Sequence, residues 1–142
     1  MKIKTIRKIA GMTALTFLIL AGCATPYQPY SMMGGYFDKR IDENTFHVFF
    51  SGNGYSKREM EYAYFLHRCA EVTKNNGFDY FVIQNYEDFK VLATYDRRGG
   101  VQADIKLFKG AAPSATAAAY DGQKVLKEDA PHNKTLRKIT LQ

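Results

Sequence analysis

Thr45-Phe46-His47-Val48-Phe49-Phe50-Ser51, then Gly52-Asn53-Gly54-Tyr55-Ser56 and a long periodic run, place a strand, a turn and a helix start in quick succession. Phe46, Val48 and Phe50 alternate to one side, with His47 and Phe49 on the other, which is the period of a pleated strand. Gly52 and Gly54 end that alternation. Ser56 then takes the N-cap position, with Glu59 three residues on as its capping-box partner, an arrangement worth about 1 kcal/mol. The run from Ser56 to about Asn76 predicts a helix. Met60, Ala63, Leu66, Ala70 and Thr73 recur at intervals of three or four and mark the face toward the sheet, while Lys57, Arg58, Glu61, Arg68, Glu71 and Lys74 form the polar complement. Gly77 after Asn75-Asn76 supplies the stop.

Further along, Tyr80-Phe81-Val82-Ile83-Gln84 predicts a second strand. Val91–Tyr95 and Val101–Phe108 predict an antiparallel hairpin around Asp96-Arg97-Arg98-Gly99-Gly100. In its second arm Val101, Ala103, Ile105 and Leu107 share one face, and Gln102, Asp104 and Lys106 the other. Gly110–Ala119, rich in Ala, Ser and Pro, predicts a loop, and Ala118–Lys127 a short helix. His132–Gln142 reads as a tail in which Leu136, Ile139 and Leu141 are able to dock. The order β-α-β-β-β predicts an α+β fold: a small antiparallel-rich sheet with one long helix packed on a face.

Upstream of the first strand, the chain opens with an address. Lys2, Lys4, Arg7 and Lys8 precede twelve uncharged residues, Ile9–Leu20. That run is shorter than the roughly 20 residues of a membrane span and suits a signal-peptide core behind a positive n-region. It ends in Leu20-Ala21-Gly22-Cys23, which resembles the lipobox of bacterial lipoproteins. The resemblance implies diacylglycerol transfer to the Cys23 thiol, cleavage after Gly22 and acylation of the new amine with a palmitate-type chain. Two or more acyl chains anchor a protein stably where one is marginal. Ala24 after the Cys, where inner-membrane retention favours Asp, points to the outer membrane, facing the periplasm. The expected organisation is 1–22 signal peptide, 23–37 lipidated Cys and flexible tether, 38–128 α+β domain and 129–142 C-terminal tail. The tether contains Pro26, Pro29, Gly34 and Gly35, reaches at most about 45 Å when extended, and carries tyrosines that meet either the lipid headgroups or the domain.

Composition narrows the functional classes. With 142 residues, 46% hydrophobic and 14% aromatic, the chain suits one small domain and not a disordered segment. The formal charge is +6, but removal of 1–22 takes four basic residues and leaves +2. Nucleic acid is therefore not an expected partner. Cys23 and Cys69 are the two cysteines, too few for a disulfide framework.

Few residues point to chemistry. Gly52, Gly54, Ser56, Lys57 and Arg58 lie between a strand and a helix, where free backbone N–H groups and the helix dipole attract anions. They are the candidate anion-binding set, although neither phosphate-loop motif is complete and a tight turn needing glycine is the plainer reading. His47, His67 and His132 lack metal-ligand spacing, so no metal or cofactor is expected. Cys69 reads as a small core residue. No nucleophile elbow is present. Met60, Phe65, Tyr80, Phe81 and Tyr86 read as core builders. Arg97 and Arg98 keep a turn soluble, or meet lipid phosphates or an acidic partner.

One family resemblance covers roughly residues 22–84. Gly34-Gly35-Tyr36, Asp42-Glu43-Asn44, Val48 with Phe50, and Gly52-Asn53-Gly54-Tyr55 begin it. Arg58, Arg68-Cys69-Ala70-Glu71-Val72-Thr73 and Gly77-Phe78-Asp79-Tyr80-Phe81 continue it, with Ala119-Tyr120-Asp121 further on. In these the chain resembles a family of small bacterial envelope lipoproteins first catalogued from Caulobacter loci. The resemblance implies envelope location and an α+β fold, and it carries over no catalytic residue. The expected function is a lipid-anchored, non-enzymatic module that binds an envelope protein or stabilises an envelope assembly. The alternative is a periplasm-facing small-ligand or anion-binding protein using Gly52–Arg58.

Overall fold

The computed structural model describes residues 24–90, 98–113 and 118–128. It has five strands and two helices: β1 (Gly35–Arg40), β2 (Thr45–Ser51), α1 (Arg58–Asn75), β3 (Tyr80–Lys90), β4 (Gly99–Phe108), β5 (Ala119–Asp121) and α2 (Gly122–Glu128). The strands form one sheet in the order β1-β2-β4-β3-β5, and each neighbouring pair is antiparallel. The class is α+β, as the periodicities predict, and the element order is β-β-α-β-β-β-α.

The alternating residues form the core. Phe46, Val48 and Phe50 of β2 are buried with Val101, Ala103, Ile105 and Leu107 of β4 and Phe81 of β3. Helix α1 lies across this face, and α2 packs beside it, adding Val125 to the same cluster. Burying a side chain the size of Phe50, Phe65 or Phe81 contributes about 2–3 kcal/mol each. Among the described residues no helix covers the opposite face of the sheet, which bears Phe37, Phe49 and Phe89 beside His47, Gln102 and Asp104.

Several local expectations need correction. The stretch read as a flexible tether is docked: Thr25 is buried, Tyr36 N–H donates to the Gln28 carbonyl and Tyr30 N–H to the Tyr36 carbonyl (2.8 Å each). Strand β1 begins inside that stretch, at Gly35. It pairs with β2 from Gly35↔Ser51 to Arg40↔Phe46. An edge strand held by backbone pairing and half-exposed side chains leaves little periodicity to read.

The helix begins at Arg58, with Lys57 at the N-cap and no side-chain cap. Ser56 does not cap it, because its hydroxyl accepts the N–H groups of Asn53 (3.1 Å) and Thr25 (3.2 Å). The buried face is rotated from the predicted stripe. Tyr64, Phe65, Leu66, Cys69, Ala70, Val72 and Thr73 are inside, whereas Met60 and Ala63 are only half-buried. Aromatic rings at 64 and 65 bury far more apolar area than Ala63 does, and they set the orientation. Glu61, read as polar complement, is also buried.

Strand β3 does not stop at Gln84. Asn85 takes a φ of 50°, a left-handed conformation that Asn tolerates, and the register slips by one residue between Gln84↔Asp104 and Glu87↔Gln102. Past this bulge β3 continues to Lys90, so β4 pairs with β3. The expected arm Val91–Tyr95 lies outside the described residues. Ala118–Lys127 holds a short strand, β5, as well as the helix α2, because Tyr120 pairs with Phe81 and stacks on its ring at 5.1 Å.

Candidate functional site

The candidate set around Gly52–Arg58 is a closed turn built from inside. Gly52 N–H donates to the Gly99 carbonyl (3.0 Å), which ties the end of β2 to the start of β4. Ser56 N–H reaches the Asn53 carbonyl (3.0 Å), Tyr55 N–H the Asn53 Oδ1 (3.0 Å), and Ser56 Oγ donates to that same Oδ1 (3.3 Å). Where a Cβ would stand on Gly52, the Glu61 carboxylate and the Ser56 side chain already sit. The turn needs glycine there for space, not for a ligand's approach.

Glu61 is 4% exposed, and burial raises its pKa above the usual carboxylate range; nearby Asp88 adds to the rise and Arg58 opposes it. Arg58 Nη1 lies 3.2 Å from the Gly100 carbonyl oxygen, 3.2 Å from Asp88 Oδ1 and 3.6 Å from Glu61 Oε2. The structure thus brings Gly52, Ser56 and Arg58 together around an internal carboxylate, and leaves Gly54 and Lys57 exposed on the rim. An anion entering the turn past Lys57 would meet the Glu61 carboxylate and an Arg58 already paired with Asp88 and Glu61. Cys23 and the lipobox residues Leu20, Ala21 and Gly22 lie outside the described residues, as do Arg97 and His132.

A second ionic cluster was not visible as one in the sequence. Arg68 Nε and Nη2 bind Asp38 Oδ1 (2.8 and 2.7 Å), and Nη1 donates to Glu71 Oε2 (2.7 Å). Its guanidinium also lies 4.3 Å from the centre of the Tyr36 ring. Burial works against the Arg68 charge, but the bonds to Glu71 and Asp38 outweigh it and hold the pKa above its ordinary value. The Tyr27 hydroxyl donates to the same Glu71 carboxylate, and burial, then Glu71, pushes the phenol's pKa well up. His67 stands edge-on to Tyr27 at 5.0 Å, with Nε2 3.6 Å from Glu71 Oε1 and a buried Nδ1 that has no hydrogen-bond partner among the described residues. The i,i+3 spacing of Arg68 and Glu71 was a legible hint. Tyr27 and Asp38 come from elements far away in sequence and gave none. The cluster clamps the N-terminal segment and β1 onto α1.

On the uncovered face, His47 Nδ1 lies 2.9 Å from Asp104 Oδ1 across β2 and β4, and Asn85 Nδ2 donates to Asp104 Oδ2 (2.9 Å). These bonds, Asn85's first, hold the Asp104 pKa below its usual range. Cys69 is a free thiol, fully buried, and burial raises its pKa well up, which makes it unreactive. Among the described residues no three His, Cys, Asp or Glu side chains gather as a metal-binding group, and no helix is long and apolar enough to cross a membrane.

Comparison with known proteins adds no relative: no family model, no curated protein and no solved structure matches the chain.

Proposed function

We propose that the protein is a bacterial envelope lipoprotein, anchored through acylated Cys23, whose domain acts as a non-enzymatic interaction or structural module. The observation that carries this reading is the sequence Leu20-Ala21-Gly22-Cys23 behind a positively charged n-region and an uncharged core. Removal of 1–22 leaves Cys23 directly ahead of a segment that is already part of the fold. Ala24 at the following position favours delivery to the outer membrane, facing the periplasm.

The disposition of the ionisable groups supports a module that binds or braces. Arg58, Arg68, Asp38 and Glu71 join helix, strands and N-terminal segment to one another, and Cys69 is sealed in the core. The uncovered face of the sheet offers Phe49 and Phe89, stacked at 5.4 Å, as an apolar surface beside the His47–Asp104 pair. Such a face, part apolar and part polar, suits contact with another envelope protein.

The test is Cys23→Ser. Intact mass should show the native chain cleaved after Gly22 and carrying acyl chains. The variant should lack them and leave the membrane fraction. A variant that fractionates with membranes as the wild type does, or a native chain with a bare thiol at Cys23, would overturn the reading.

A further inference from the structure

Two turns meet where the chain enters the fold. Thr25 donates its backbone N–H to Ser56 Oγ (3.2 Å) and its hydroxyl to the Met33 carbonyl (2.6 Å). One residue, 1% exposed, thereby joins the turn at 31–34 to the turn at 53–56. Each turn holds apolar side chains out in solvent: Met32 is 94% exposed and Met33 57%, and Tyr55 on the second turn is 75% exposed. Tyr30, half-exposed, stands edge-on to Phe49 at 5.6 Å on their flank. Packing accounts for none of this exposure, since none of these four side chains belongs to the core cluster or is packed against it.

Chain length says what lies opposite. Cys23 is two residues from Thr25, and two residues of extended chain span at most about 7 Å. Acyl chains joined to Cys23 through its glyceryl thioether and its amine therefore hold the headgroup layer close to the Thr25 bridge, since the spacer that a free 23–37 tether would provide is taken up by docking. Of the possible occupants, the bilayer is the one that so short a link to the anchor brings up to this surface. Methionine supplies apolar surface and tyrosine an amphipathic ring, the chemistry that favours the boundary between headgroups and acyl chains.

We propose that the end of the domain formed by Met32, Met33 and Tyr55, with Tyr30 at its edge, beds into the headgroup layer of the phospholipid bilayer that holds Cys23. The proposal rests on the lipid-anchor reading and deepens it: the anchor supplies one membrane signal and this surface a second, which fixes the domain's orientation. The sheet, whose strands β1 and β2 meet beside these turns at Gly35 and Ser51, then stands roughly upright from the membrane.

The experiment uses the full-length acylated protein in vesicles of phosphatidylethanolamine and phosphatidylglycerol. An environment-sensitive fluorophore is placed in turn at Met32→Cys, Tyr55→Cys and Ile41→Cys. Ile41 is an exposed residue in the β1–β2 turn at the other end of β1, and Cys69 is fully buried and does not compete for label. The labels at 32 and 55 should lose quenching by aqueous iodide and gain quenching by brominated lipid, while the label at 41 stays open to iodide. If the chain floats with the vesicles but 32 and 55 are quenched by iodide as freely as 41, docking is overturned and the anchor survives. If Cys23 carries no acyl chain and the protein does not float, anchor and docking fall together. Shielding found in native membranes but absent from protein-free vesicles would assign this surface to a protein and overturn docking.

Discussion

The two ends of α1 are closed by opposite means. At the C-terminal end the backbone is closed by neighbours in sequence, and Arg40, donating to Asn76 Oδ1 (2.9 Å), is a contact from β1 to a side chain. Asn76 N–H donates to the Val72 carbonyl (3.2 Å), Gly77 N–H to that of Lys74 (3.1 Å) and Phe78 N–H to that of Thr73 (3.0 Å), while Gly77 takes the left-handed φ of 78° that such a stop requires. At the N-terminal end local bonds between Asn53 and Ser56 are joined by distant ones. Lys57 has no side-chain cap, Ser56 serves Thr25, Gly52 reaches Gly99, and Arg58 reaches Gly100 and Asp88. The first end closes as the helix forms. The second closes only when β4, β3 and the N-terminal segment have all arrived, so its integrity reports on the whole fold.

Two glycine substitutions measure that difference. Gly34, with a φ of 90°, lies in the 31–34 turn that Thr25 ties to Ser56 ahead of α1, and an added Cβ there would collide with the Ser51 carbonyl oxygen and press on the Thr25 side chain at 3.1 Å. Gly34→Ala combines backbone strain with a clash against immobile backbone, and a loss of about 3 kcal/mol or more is expected in urea titration. Gly77 also has positive φ, but no atom lies within 4 Å of where its Cβ would be. Gly77→Ala should therefore cost only the left-handed strain, about 1–2 kcal/mol. Equal losses for the two variants would remove the distinction between a locally and a remotely closed end.

The same distinction explains what could be read before folding. Phe46, Val48 and Phe50, the Val101–Leu107 alternation and the Gly77 stop were legible, since each is a pattern carried within one element. Strand β1 was not, because Phe37-Asp38-Lys39-Arg40 shows no apolar alternation and owes its conformation to pairing with β2. Asn85 looked like a strand end and is a bulge that β4 stabilises from the other side. In the candidate site, Gly52 announced a tight turn. That Glu61 fills the turn was hidden, because a Glu flanked by Arg58 and Arg68 has the pattern of a solvent face. Arg68 and Glu71 were placed correctly on the helix, but Asp38 and Tyr27, which complete their cluster, come from the stretch read as a tether and its edge.

The smallest expected effect comes from Glu61 itself and has the sharpest signature. Burial places its folded-state pKa above the ordinary value of 4.5. A carboxyl raised in this way favours the folded state most below its unfolded pKa, where it is protonated in both states. That contribution is lost as pH rises through the folded pKa, because the native protein must then hold a buried charge. Glu61→Gln keeps the shape and an oxygen packed against Gly52 without the charge. Its stability should be closest to that of the wild type near pH 4 and exceed it at pH 7, by less than Gly77→Ala costs. Urea midpoints measured across that interval give the result directly. A variant less stable than wild type at pH 7 would mean that attraction to Arg58, 3.6 Å away, outweighs the burial of the charge. The N-terminal end of α1 would then be held by its ion pairs, with the remote backbone contacts secondary.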